Sequence, residues 1–495
     1  MNYLFKINAN SLLCGITLFL IIIMVFSFEF INPFYPLLFS IGISTIIICI
    51  IFPSIMLGFV TFYIPMEAFI LAFIPTDINK DIIGLGPELI LISLLFSLLL
   101  NFFKNKKKLH LNFIDHLLII LISWSLVTSI LSEVNIFHMV NGFRVLFRFV
   151  LVYVACRLIW DPFKSWRKLV NTLYFFIFFE VILGIVQSIG KRFSPTTWNL
   201  FGENPSNLAH TFFGVQGTLI RYDQYGTFLA IAGLVMFSNY INISRKNNKY
   251  LLAFVLTVIG IILSTSRQAL VFIILGALIL FLLSNIKHKK FKFKYYILTV
   301  GFFGSFLYIA LSQFNGGNII ETTGRNPFEL LTSLFEKDTF ALEKTTNFRL
   351  YYLFYISPLL IKEHFWGMGL GTFGSVFSRE TYLPIYQNMG LYDNFLSYIA
   401  DVNWVSIIGQ IGIFGTLLFL FFFISVSRKS LKYLKRSSDD EEISVVLSLA
   451  IAISIGFVVL GFLGPNYEIR TTSFYLWFLL GIANRFMIDS KKFKD

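Results

Sequence analysis

The chain has 495 residues, 56% of them hydrophobic and only 14% charged, with mean hydropathy +0.76 and formal net charge +13. An ordinary soluble chain is about 25% charged, so charge this scarce excludes a water-soluble enzyme. No stretch is long and polar enough to form a basic soluble domain, which excludes nucleic acid as a partner.

The apolar residues fall in blocks that repeatedly reach the ~20 residues a helix needs to cross about 30 Å of hydrocarbon. The short alternating strands of a barrel are absent from the pattern. The reading is an all-α polytopic membrane protein with about 12–14 transmembrane helices. In chain order the candidate spans are 12–31, 34–52, 54–74, 88–103, 113–132, 143–160, 169–189, 222–243, 250–265, 268–285, 295–312, 404–426, 443–463 and 472–488. Only Phe52-Pro53 separates the second from the third, and only the Ser264–Arg267 region separates the ninth from the tenth. Either pair could instead be a hairpin or a broken helix. The first block shows no small-residue cleavage site and reads as a retained helix. Cys14, Cys49 and Cys156 lie in or beside apolar blocks with no pairing or metal spacing.

Sidedness follows from the basic residues. The runs Lys104–Lys108, Lys164–Lys168, Arg245–Lys249, Lys287–Lys294, Arg428–Arg436 and Lys491–Lys494 occupy every second loop. By the positive-inside bias these loops and both termini face the cytoplasm, so most of the +13 is a topology signal. Two outer connections are long, 190–221 and 313–403. A connection of about ninety residues is usually functional or disordered, and this one is not composed like disorder. Phe348–Tyr355 is aromatic and apolar, which predicts a helix at the outer interface. Gly367-Met368-Gly369-Leu370-Gly371 predicts a tight turn where the backbone approaches another element closely. The expected organisation is a transmembrane bundle over 1–312, an extracytoplasmic loop with amphipathic helices over 313–403, and three last spans with a cytoplasmic tail over 404–495.

Several outer arginines are placed expensively. Arg144 and Arg148 are spaced i, i+4 at the outer end of the sixth span, hence on one helix face. Arg267 sits in the turn between the ninth and tenth spans. Arg221 opens the eighth span, Arg349 opens the amphipathic stretch, and Arg470 precedes the last span. An arginine in the bilayer costs several kcal/mol unless it snorkels or is paired, which marks it as a functional candidate. Its planar fork suits two phosphate oxygens, so several arginines converging on one cavity would make a pyrophosphate site. Snorkelling or a salt bridge is the competing reading of each. Asp401, Asp393 and His364 are the candidates for deprotonating an acceptor hydroxyl; Asp401 is also well placed to cap the following span. Glu29, Glu67 and Glu180 lie within spans, where a proton path and a hydrogen-bonded structural role fit equally. No metal cluster or nucleotide-binding glycine loop is legible, and no cofactor is expected.

The pattern resembles the O-antigen ligase and O-antigen polymerase superfamily of bacterial envelope glycosyltransferases. Ser266-Arg267 is similar to the family's outer Ser-Arg turn. Asn347-Phe348-Arg349 leads to Lys362-Glu363-His364-Phe365-Trp366-Gly367-Met368-Gly369-Leu370-Gly371-Thr372-Phe373, like the family's basic helix followed by spaced glycines and a Phe. Asp401-Val402, nine residues, then Gly412-Ile413-Phe414-Gly415 resembles the family's polar pair and G-x-x-G. Two departures are plain: family ligases carry His where Asp401 stands, and the Pro expected after His364 is Phe365. Both favour a polymerase.

The resemblance implies a C-type glycosyltransferase architecture and metal-independent, inverting transfer from a saccharide on undecaprenyl pyrophosphate at the outer leaflet. It implies Arg267 and Arg349 on the pyrophosphate and Asp401 on the acceptor hydroxyl. Membrane lipid, chain-length regulators and flippases are the further partners expected, at a bacterial cytoplasmic membrane. A ligase moving finished glycan to a lipid or protein acceptor is the first alternative. A lipid-linked oligosaccharide flippase is the second, though such a protein is expected to show two pseudo-symmetric halves.

Overall fold

The computed structural model describes residues 34–73, 86–105, 111–159, 162–193, 214–243, 247–288, 351–375, 378, 386–387, 389, 391, 399–436 and 440–492. Among them there are fourteen α-helices and no strand. The helices are α1 Phe34–Ile51, α2 Pro53–Ala72, α3 Gly86–Asn105, α4 Phe113–Leu131, α5 Ile136–Phe147, α6 Val150–Ile159 and α7 Pro162–Phe193. They continue as α8 Tyr222–Asn242, α9 Asn248–Ser264, α10 Arg267–His288, α11 Ser357–Glu363, α12 Asn403–Arg436, α13 Glu441–Leu460 and α14 Arg470–Lys492. Six are long and apolar enough to cross a membrane, and the bent pair α5 and α6 passes the same test taken together, as a broken span or a re-entrant loop. The protein is an all-α, multi-pass membrane protein. The expected spans 12–31 and 295–312 lie outside the described residues; every other one coincides with a helix.

One boundary differs. The sixth span begins at Ile136 rather than 143, with the Asn135 side chain accepting from the Phe137 nitrogen at 2.9 Å to cap it. It then breaks at Arg148-Phe149, where α5 and α6 diverge by 52°. The polar residues His138 and Asn141 hide this segment in the hydropathy pattern.

The chain divides into two compact units, residues 1–108 and 109–495. In the first, α1 and α2 both pack on α3 and are joined through the single non-helical residue Phe52. In the second, α8 is the central helix. Every residue from Tyr225 to Met236 is buried, against α7, α9, α10, α13 and α14. A helix apolar all round belongs in the middle of a bundle, since no face of it needs water. Between membrane helices, polar side chains hold what hydrophobicity cannot. The Ser238 hydroxyl donates to the Val445 carbonyl at 2.9 Å, and Asn242 Nδ2 donates to Ser448 Oγ at 3.1 Å. A buried ion pair, Arg157 to Asp115 at 2.8 Å, ties α6 to α4. Asn484 Nδ2 from α14 and the Tyr153 hydroxyl each donate to the same carboxylate at 3.0 Å. Such a pair persists because its remaining lone pairs are filled.

At one end of this unit the turns 132–135, 264–266, 364–375, 399–402 and 461–469 meet through the contacts described next. Basic residues mark the opposite end. Lys249 Nζ donates to Asn171 Oδ1 at 3.2 Å, and Arg167 pairs with Glu442.

Candidate functional site

The site is organised around a break in α12. Gly412 adopts φ 68°, ψ 178° inside the helix, a conformation that only glycine takes without strain. The break releases the carbonyls just before it, and buried carbonyls must find donors. The glycine loop supplies them: Met368 N–H donates to Gly409 O at 2.8 Å and Gly369 N–H to Gln410 O at 2.9 Å. Trp124 Nε1 from α4 takes the Ile411 carbonyl at 3.0 Å. In return Ile413 N–H donates to Phe365 O at 3.2 Å. A Cβ on Gly367 would stand 2.5 Å from the Gly412 nitrogen, and one on Gly412 would overlap the Phe365 and Trp366 carbonyls. The spaced glycines and the G-x-x-G, read separately in the sequence, are therefore two halves of one joint. The expected close approach of the glycine turn is made, and its target is α12.

The loop is held on its other side as well. Leu370 N–H donates to Ser129 Oγ of α4 at 2.9 Å, and the backbone at Leu370 and Gly371 lies directly on Gly142 of α5. Beneath it a small apolar core forms from Tyr351, Tyr352, Ile356, Leu360, Met368, Phe373, Tyr386, Leu391, Val402, Val405 and Ile408. The chain enters this core through a π-helical turn, Tyr352–Ile356, a distortion frequent at functional sites.

Asp401 lies half-buried in a 3-10 turn, Ile399–Asp401. Helix α12 begins at Asn403, so Asp401 stands outside the capping position. It lies close enough to Tyr352 for its charge to matter. Burial first, then Tyr351, Tyr386 and Asp401, push the Tyr352 phenol far above its ordinary range. Burial likewise raises Tyr386 to about 12, with Glu468 adding to it against the bonds to Ser378 and Gly374. His364 caps α11, its carbonyl accepting from Gly367 N–H at 2.9 Å. Asp393 and Arg349 lie outside the described residues.

The arginines share an unusual position. Arg221 is the N-cap of α8, Arg267 the first residue of α10 and Arg470 the first residue of α14. Helix N-termini carry about half a positive charge and favour anions, so a cation there works against the dipole. These starts are brought to one end. The Gly226 backbone of α8 touches Ser264 and Ser266, and Asn466 Nδ2, four residues before Arg470, donates to Gln268 Oε1 at 3.1 Å. Arg267 is exposed there. Arg221 instead closes a fork on Asp223, Nε to Oδ1 at 3.0 Å and Nη2 to Oδ2 at 2.9 Å, so the salt-bridge reading holds for it. Arg144 lies two turns inside α5, and Arg148 is at the break itself, over the Phe149 ring at 5.0 Å. Both are deeper in the span than the sequence boundary implied. Phe149 packs on Phe474 of α14, which puts the break one turn from Arg470.

Sequence reasoning missed one carboxylate of interest and left another undecided. Glu468, between the last two spans, is 8% exposed. Its Oε1 faces Ser406 Oγ at 3.3 Å and Asn403 Nδ2 at 3.5 Å. Nothing in Tyr467-Glu468-Ile469-Arg470 distinguishes it from a loop acid, since its partners lie over sixty residues away. Glu180, left open between two roles, is fully buried in α7. It accepts from the Thr218 nitrogen at 3.1 Å and from the Thr218 hydroxyl. With Gln187 accepting from Gly217 N–H at 2.8 Å, it holds the loop 214–220, buried over 214–219, beside the end of α9, where Gly214 N–H donates to Leu263 O at 2.8 Å. Irregular backbone inside a membrane bundle survives only when satisfied in this way.

One segment contains most of these parts. Residues 252–420 match the family model of O-antigen ligases. That match supports the O-antigen ligase and polymerase superfamily that the sequence motifs resemble. The matched segment runs from α9 through the Ser266-Arg267 turn and the glycine loop to the Gly412 break. Members of this family are glycosyltransferase-like enzymes acting on lipid-linked glycans. No curated protein matches the chain.

Proposed function

We propose that the protein polymerises undecaprenyl-pyrophosphate-linked saccharide repeat units into a surface polysaccharide, at the outer leaflet of a bacterial cytoplasmic membrane. The observation that carries this reading is that the first turn of α12, two residues beyond Asp401, bonds to the turn leading to Arg470, which in turn bonds to Gln268 beside Arg267. Arg267, with Arg349, holds the donor pyrophosphate; the positive ends of α10 and α14 add to the attraction. Arg470, Arg144 and Arg148 are the further candidates for that role, and Arg221, committed to Asp223, contributes least.

In the proposed step the acceptor hydroxyl loses its proton to Asp401 and attacks the anomeric carbon from the face opposite the pyrophosphate. The C–O bond to the leaving phosphate breaks with inversion, and the arginines take up the charge that develops on it. Asp401 in place of the histidine of family ligases supports polymerase over ligase. In a deletion strain complemented with Arg267→Ala or Arg349→Ala, long-chain polymer should be lost while the protein still inserts. Wild-type chain lengths in both would overturn the reading. Accumulation of finished, unligated polymer in the deletion strain would point to a ligase, and repeat units trapped on the inner leaflet to a flippase.

A further inference from the structure

We infer that Glu468 is a positioning residue that fixes the acceptor side of this site by accepting hydrogen bonds; the inference rests on the polymerase reading and extends it. The argument is one of hydrogen-bond direction. Gly371 N–H donates to Gln410 Oε1 at 2.8 Å, which fixes the Gln410 amide with its nitrogen toward Ser406. Gln410 Nε2 then donates to Ser406 Oγ at 2.8 Å. Having accepted, the Ser406 hydroxyl has one proton to give, and its acceptors are Glu468 Oε1 at 3.3 Å and the Phe373 carbonyl at 3.4 Å. From the other side Tyr467 N–H donates to Asn403 Oδ1 at 3.0 Å, which turns the Asn403 amide nitrogen toward the same Glu468 oxygen, at 3.5 Å.

The chain ends from both sides in donors, Asn403 Nδ2 and the Ser406 hydroxyl, that face Glu468 Oε1. An acceptor must therefore stand at that position, and it stands between three parts of the site. Asn403 and Ser406 form the first turn of α12, two residues beyond Asp401. Gln410 leads to the glycine loop. Tyr386, whose phenol feels the Glu468 charge, accepts from Gly374 N–H at 2.9 Å. Asn403, Ser406 and Gln410 are all at most 3% exposed. The chain is thus shielded from water, where a hydrogen bond sets geometry most strongly. Glu468 locks the first turn of α12 to the glycine loop and so sets where Asp401 meets an acceptor hydroxyl.

The test uses purified full-length protein in liposomes, with lipid-linked saccharide extracted from cells lacking the protein as the probe. Rates are read against donor concentration. Glu468→Ala and Ser406→Ala should each lower kcat about 100-fold, the scale for a reacting group displaced by roughly an ångström, and leave the donor KM in place. Because both act through one chain, the double variant should be no slower than the worse single one. Glu468→Gln keeps an acceptor oxygen and should stay near the wild-type rate. A Glu468→Gln rate as low as that of Glu468→Ala would overturn the inference, since the charge rather than the accepted bonds would then matter. Wild-type rates in both alanine variants, or losses that multiply in the double, would overturn it too. Should Glu468→Ala fail to insert, Ser406→Ala, which removes a single hydroxyl, carries the same comparison of kcat with KM. A wild-type protein inert toward the probe would instead bring down the polymerase reading on which the inference rests.

Discussion

Arg267 and Arg470 stand where helix electrostatics would place a carboxylate. A lipid pyrophosphate is the anion proposed for Arg267. Arg221 is forked on Asp223, so Arg221→Ala should reduce polymer synthesis far less than Arg267→Ala, measured as rate against donor concentration. Gly412 carries a different burden. Gly412→Ala places a side chain at φ 68° and against the Phe365 carbonyl, at a cost of order 1–3 kcal/mol for such backbone strain, read from thermal unfolding in detergent. Arg267 and Asp401 as candidates, and the spaced glycines of the joint, were legible in the sequence because each is a costly residue in an apolar setting or a repeated spacing. Glu468 was not, because its meaning lies in the direction of bonds from Ser406 and Asn403, which no local pattern encodes.

Among the elements, the bundle is held by polar contacts that hydropathy hides. The Asp115–Arg157 pair joins α4 to α6 and is completed by α14. Asp115→Ala leaves a buried guanidinium without its counter-charge and should cost about 3–5 kcal/mol, checked by detergent melting. Glu180→Ala orphans the Thr218 N–H and loosens the loop 214–220; a loss of about 1–3 kcal/mol is expected, with Glu180→Gln milder because an acceptor remains. Helix positions followed from apolar blocks and their turns. The bend at Arg148-Phe149 did not, since a run containing His138 and Asn141 fails a hydropathy window yet forms a helix once Asn135 caps it and Gly142 packs on the glycine loop. The joint between that loop and α12 was half legible: both glycine motifs were visible, but not that each completes the other's hydrogen bonds.

For the whole molecule, the described basic residues Lys249 and Arg167 and the proposed site take opposite ends of the second unit. By the positive-inside bias most of the charge excess is expected on the cytoplasmic face, and the few arginines at the other end are the ones proposed for the substrate. The central claim is that Asp401, held between the glycine loop and the arginine-bearing helix starts, is the base of a lipid-linked saccharide polymerase. The most direct measurement is the length distribution of lipid-linked glycan in a deletion strain complemented with Asp401→Asn. Single unextended repeat units on the outer leaflet, with the variant inserted at the wild-type level, are the predicted result. A wild-type ladder of chain lengths from that variant would contradict the account.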